Sequence, residues 1–128
     1  MKFNILLVSE DTQIMQVIRE IANRNELTLI SIPVEYNTVL KTLEQKVDLM
    51  IYDIHQDVKN HFDMIHVIKN LKPSLPIIML TENNSFDNMK EIAQLSVFYC
   101  ALKPLEAQEI QHVIKAVMAK MPYSICNA

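Results

Sequence analysis

Val47-Asp48-Leu49-Met50-Ile51-Tyr52-Asp53 is a run of apolar, mostly β-favouring residues that ends in a carboxylate. A run of this length, apolar on both faces, reads as a strand buried on two sides, as in a parallel sheet covered by helices. Asp53 stands where that strand runs out. In open α/β sheets the carboxyl ends of the strands form the crevice in which ligands bind. Taken alone, Asp53 is equally well read as the cap of a turn or of the next helix. Three further runs tilt the balance, because each also ends in polar groups: Ile5-Leu6-Leu7-Val8 before Ser9-Glu10-Asp11, Ile77-Ile78-Met79-Leu80 before Thr81, and Val97 to Leu102 before Lys103-Pro104.

Helical periods separate these runs. Ile14, Val17, Ile18 and Ile21 follow the first strand, which spans Phe3 to Val8, and the helix stops near Asn23-Arg24-Asn25. Leu27 to Ile32 reads as the second strand, and Tyr36 to Gln45 as a short helix with Val39, Leu40 and Leu43 inward. Ile54 to Asn60 shows neither period and reads as a loop. Phe62, Ile65, Ile68 and Leu71 mark a third helix, and Leu75 to Leu80 a fourth strand. Ser85 is placed to cap a helix through Phe86, Met89, Ile92 and Ala93. A last helix after Pro104 runs to about Met121 and buries Ile110, Val113, Ile114 and Val117. Strand and helix alternate five times, which implies right-handed crossovers and a parallel sheet with helices on both faces. The expected fold is a flavodoxin-like, doubly wound (βα)5 domain of α/β class over residues 1–122, followed by a loose tail, 123–128.

Composition narrows the function. A chain of 128 residues, half of them hydrophobic, builds one domain with a real core. A net charge of −3 argues against a nucleic-acid surface spread over the domain. Glycine is absent, which excludes the phosphate-cradling and dinucleotide-binding loops that need it. Positive-φ positions then fall to Asn or Asp, with Asn25, Asn60, Asn70, Asn83 and Asn84 as candidates. Cys100 and Cys126 lack metal-ligand or redox spacing and read as reduced thiols of a cytoplasmic protein. The N-terminal apolar run is too short for a signal peptide, and none reaches the length of a membrane span. His55, His61, His66 and His112 form no metal set; His61 and His66, five apart, do not share a helix face and read as surface residues. The methionines read as packing.

The polar groups at the strand ends carry the chemistry. Acids after the first strand, Asp53 after the third, Thr81 after the fourth and Lys103-Pro104 after the fifth resemble a bacterial response-regulator receiver domain. The spacing, 28 positions from Asp53 to Thr81 and 22 from Thr81 to Lys103, is similar to that family, as is Leu71-Lys72-Pro73-Ser74-Leu75-Pro76-Ile77-Ile78-Met79-Leu80-Thr81. The resemblance covers essentially the whole chain. It implies that Asp53 is the phosphoacceptor and that Mg²⁺ is bound, weakly, by Glu10, Asp53 and the backbone carbonyl of His55. It further implies that Lys103 and Thr81 bind the phosphoryl oxygens, and that the Lys103–Pro104 bond is cis. A carboxylate can serve as nucleophile toward phosphorus, and the transfer is helped mainly by positioning and charge neutralisation. Without the resemblance, Glu10 and Asp11 are ordinary acids at a helix start, Thr81 a turn residue and Lys103 a balancing cation.

Several positions depart from the family. Ser9 stands where a second acid is usual, with Asp11 close by in sequence. Glu82 stands where a small residue normally admits the phosphodonor, and is expected to obstruct it. Cys100 occupies the place of the switch aromatic, with Tyr99 displaced onto the other face of the strand; Cys100 is expected to be a partly buried filler. Asp57 and His61 replace the usual Pro and Gly of the loop after the acceptor. Two functions therefore stand: a receiver that accepts phosphate on Asp53 and signals by conformational change, and a degenerate pseudo-receiver that binds proteins independently of phosphorylation. A flavodoxin-like enzyme or small-molecule binder using Asp53 and Lys103 is disfavoured by the missing glycines. The implied partners are a sensor histidine kinase or phosphotransfer protein and a downstream effector, with a homodimer compatible and neither membrane nor direct nucleic-acid binding. The chain reads as a stand-alone receiver or as a piece of a longer one.

Overall fold

The computed structural model describes residues 2–54, 58–82 and 86–119. The elements are β1 (Asn4–Val8), α1 (Thr12–Arg24), β2 (Thr28–Ile32), α2 (Tyr36–Thr42), β3 (Leu49–Ile54), α3 (Val58–Leu71), β4 (Ile77–Thr81), α4 (Phe86–Ala93), β5 (Tyr99–Leu102) and α5 (Ala107–Met118). The five strands form one parallel sheet in the order β2-β1-β3-β4-β5. This is the doubly wound α/β arrangement expected from the alternation.

β3 lies at the centre and is buried along its whole length. Side chains of a strand alternate between faces, and two cores result. Leu6, Val8, Met50, Tyr52, Met79 and Cys100 pack with Val39 of α2, Phe62, Ile65 and Ile68 of α3 and Ile92 of α4. Ile5, Leu7, Leu49, Ile51, Ile78, Leu80 and Ala101 pack with Ile14, Ile18 and Ile21 of α1 and Ile110, Val113, Ile114 and Val117 of α5. Burying each such side chain contributes about 1.5–3 kcal/mol. A charged residue at Ile51 would sit unpaired between the sheet and the α1/α5 layer, so that substitution would break the fold.

Local chemistry sets the helix ends. Asp11 caps α1, its Oδ1 accepting from the backbone N–H groups of Gln13 and Ile14 at 2.8 and 3.1 Å. Glu35 caps α2 by accepting from the N–H and the hydroxyl of Thr38, which holds its carboxyl below the usual range. Asp48 docks the start of β3 on β1: its Oδ2 accepts from Asn4 N–H, and its own N–H donates to Asn4 O, both at 2.8 Å.

Four expectations are corrected. α3 begins at Val58, inside the segment read as a loop; its first turn carries too few apolar residues to show a period, and packing of the later turns extends the helix backward. Leu71 points outward and is exposed. α5 ends at Met118 with Ala119 as its C-cap, short of Met121. The positive-φ residues among those described are Glu26 (57°) and Ser96 (58°), not asparagines. Asn25 has φ −108°, while Asn60 and Asn70 lie inside α3. Glu26 takes the left-handed conformation because the end of α1 requires it. Leu27 N–H donates to Ala22 O and Glu26 N–H to Asn23 O, the paired bonds of a Schellman cap. Ser85, Asn83, Asn84, Asp57, Cys126 and the tail lie outside the described residues.

Candidate functional site

Parallel pairing brings the C-terminal ends of the strands to one edge. Val8 lies opposite Tyr52 in the β1–β3 register, so the residues that follow, Ser9 and Asp53, come side by side. Asp53 has no exposed surface and Ser9 only 2%. The Ser9 hydroxyl donates to Asp53 Oδ2 at 2.7 Å, and Ser9 Oγ accepts the N–H of Asp11 at 3.1 Å. From the other side, the Lys103 ammonium forms an ion pair with Asp53 Oδ1 and donates to the carbonyl oxygen of Ile54 at 3.2 Å. Beyond that ion pair, Oδ1 accepts no hydrogen bond of ordinary geometry from the described residues. A buried carboxylate needs a paired cation to stay charged, and Lys103 supplies it.

Thr81 is buried at the end of β4, opposite Ile54 of β3. Its carbonyl accepts the N–H of Lys103 at 2.9 Å, which ties the β5 exit to the β4 end. The Lys103–Pro104 peptide bond is cis. Beside this cluster lies an open cleft of about 400 Å³ lined by Asp11, Gln13, Ile14, Val17, Glu82, Lys103, Pro104 and Leu105. Glu82 and Glu10 are both exposed. Glu82 therefore shares the opening with Asp11 and Lys103. One oxygen of Asp11 is committed to the start of α1, so that residue acts as the helix cap that the plain reading of the acids supplies.

Two features escape sequence reasoning. Ser9 reads as a lost carboxylate, yet it is the hydrogen-bond donor to Asp53. His61 reads as a surface residue, yet it is half-buried, with Nδ1 3.0 Å from the Tyr52 hydroxyl and the two rings edge to face at 5.6 Å. Burial, then the charge of Asp53, pushes the Tyr52 hydroxyl well above the usual tyrosine range. Tyr52, Met79 and Cys100 form one row across β3, β4 and β5 on the α3/α4 face. Cys100 is a small member of that row; Tyr99 lies on the other face, its hydroxyl donating to Glu109 of α5. His66 and His112 are exposed. His55, whose carbonyl the resemblance assigns to the metal, lies outside the described residues.

The donor set at the strand ends fits Mg²⁺. Asp53 and Glu10 are hard oxygen donors, and Mg²⁺ is commonly held by one or two carboxylates with waters and phosphate oxygens completing the shell. Among the described residues no group of three or more His, Cys, Asp or Glu side chains could hold a metal, which accords with a shell completed largely by other oxygens.

Fold and site together define a receiver: a doubly wound sheet with an ion-paired aspartate at the end of its central strand. A family model for the response regulator receiver domain matches residues 5–115, and the chain belongs to that family. It is 23% identical over 122 residues to the heme response regulator HssR of Staphylococcus saprophyticus, covering 95% of this chain and 54% of that one. It is 29% identical over 108 residues to the transcriptional regulatory protein YbdJ of Bacillus subtilis, covering 84% and 47%. The chain thus spans about half the length of these relatives. In structure it resembles the isolated receiver domain of RcsB from Salmonella enterica serovar Typhimurium, with TM-score 0.81, 18% identity and coverage of 96% and 93%. A CheY-like receiver domain from Methanospirillum hungatei gives TM-score 0.80 at 20% identity, with coverage of 94% and 96%. Receiver domains of this family generally bind Mg²⁺ at the phosphorylation site and work with histidine kinases and effector domains.

Proposed function

We propose that Asp53 accepts a phosphoryl group and that the chain passes the change to a partner as the receiver of a phosphorelay. The observation that carries this reading is the setting of Asp53: a buried carboxylate at the end of the central strand, its Oδ1 ion-paired with Lys103. That oxygen keeps a lone pair for attack on phosphorus. A bond forms between Oδ1 and phosphorus as the bond from phosphorus to the donor's leaving group breaks, its electron pair departing with the leaving group. Acetate leaves from acetyl phosphate. From a phosphohistidine an imidazole nitrogen leaves and takes up a proton from solvent. Attack by a carboxylate releases no proton, so the step needs no base in the protein.

Lys103 neutralises charge on the transferred group as a point charge, and Thr81 donates its hydroxyl to another phosphoryl oxygen, linking the acceptor to β4. Glu10, Asp53 and the backbone carbonyl of His55 would hold Mg²⁺, which when bound would supply charge neutralisation at the phosphoryl oxygens. Because Asp53 has no exposed surface, a donor reaches Oδ1 only when the groups over it move. Lys103, whose side chain is 14% exposed, is the partner that meets solvent. Upstream partners are a sensor histidine kinase or phosphotransfer protein, and a downstream effector reads the result. No helix among the described residues is long and apolar enough to cross a membrane, and the site fits cytoplasmic signalling.

The test is to incubate the protein with Mg²⁺ and acetyl phosphate and to measure its intact mass. A gain of one phosphoryl group that is absent in Asp53→Asn is expected. An unchanged mass, together with no response to beryllofluoride, would refute the acceptor role and favour a phosphorylation-independent binding module.

A further inference from the structure

The two oxygens of Asp53 are treated differently. Oδ1 faces the Lys103 ammonium, which repels any second cation on that side. Oδ2 holds the hydroxyl proton of Ser9 at 2.7 Å in a buried pair. That hydroxyl is fixed in turn: its oxygen accepts the N–H of Asp11, and Asp11 is anchored as the cap of α1. A hydroxyl polarised by a bond to its oxygen is a better donor, and a bond to a charged acceptor is about twice as strong as one between neutral groups. A short hydrogen-bonded chain therefore runs from the first turn of α1 to the acceptor carboxylate.

We propose that Ser9 is a positioning residue that stands in for a cation on Asp53 Oδ2. It holds the carboxylate oriented, with Oδ1 toward Lys103, in the absence of metal. A divalent cation binds Asp53 only by displacing the Ser9 hydroxyl. This deepens the phosphoacceptor reading and takes its significance from it. The charge count agrees: the buried pair of Asp53 and Lys103 is neutral, and Ser9 adds a donor without adding charge.

The competition has a sign that a merely structural serine, or a serine that ligates the metal, would not produce. MgCl₂ is titrated into the full chain without phosphodonor, following backbone amide NMR shifts at residues 9–11 and 53. Ser9→Ala removes the competing proton and adds no ligand, so the Mg²⁺ dissociation constant falls about three- to tenfold. Ser9→Thr keeps the hydroxyl and stays at the wild-type value. Ser9→Asp also adds a carboxylate, and its constant falls tenfold or more. A dissociation constant that is unchanged or higher in Ser9→Ala overturns the proposal. Should the alanine variant lose its native spectrum, Ser9→Asp decides alone, and absence of tightening there overturns it. The metal titration is independent of the phosphoryl mass gain. If the mass gain is missing while the Mg²⁺ trend holds, the acceptor reading fails and the Ser9 role stands; the reverse pattern rejects Ser9 alone.

Discussion

Replacing Lys103 by methionine keeps much of the apolar stem and deletes the ammonium. Asp53 would remain fully buried, with the Ser9 hydroxyl as its hydrogen-bond donor and no cation. Removing one member of a buried ion pair costs about 3–5 kcal/mol, because a charge is left uncompensated. The expected loss is thus about 3–5 kcal/mol. Urea unfolding followed by circular dichroism measures it. Adding Asp53→Asn removes the stranded charge and recovers most of the loss. A loss under about 1 kcal/mol would mean that water already solvates Asp53 and that the ion pair is not a buried one.

Glu82 shares its cleft with Lys103 and Asp11. A carboxylate some way from an incoming dianionic donor opposes it by on the order of 1 kcal/mol, so Glu82→Ala should speed labelling of Asp53 by acetyl phosphate about fivefold while leaving Mg²⁺ affinity unchanged. Loss of Mg²⁺ binding in that variant would instead make Glu82 a metal-site residue. Tyr52→Phe removes the hydroxyl bonded to His61 and should cost about 1 kcal/mol at neutral pH. The Tyr52 hydroxyl is raised in the folded state, so its contribution is full below about pH 10 and lost as an unfolded tyrosine ionises above it. Melts between pH 8 and 11 should therefore show a shallower alkaline decline for Tyr52→Phe, and equal slopes would count against the assignment. Glu26→Gly relieves a left-handed residue with a side chain and should stabilise the protein by about 0.5–1 kcal/mol; a destabilised variant would show that the Glu26 side chain contributes more than its backbone costs.

The chain order of strands and helices is legible in the sequence, because the strands are largely apolar runs, β2 being interrupted by Thr28 and Ser31, and each long helix repeats its apolar residues at helical spacing. The positions of Asp53, Thr81 and Lys103 at one edge follow directly: in a parallel sheet every strand ends on the same side. The start of α3 is not legible, since a first turn such as Val58 to His61 shows no apolar period. Nor is the positive-φ residue after α1. The geometry of the helix end places it at Glu26, one residue beyond the asparagine that composition favours. The bonds that define the site depend on tertiary structure alone. Ser9 meets Asp53 across 44 positions because the β1–β3 register sets them side by side, and a shift of one residue would turn each to the opposite face. Tyr52 meets His61 because α3 packs over β3. Local sequence can specify which residues end a strand, but side-chain hydrogen bonds need angstrom-level placement, and only the packed core supplies that.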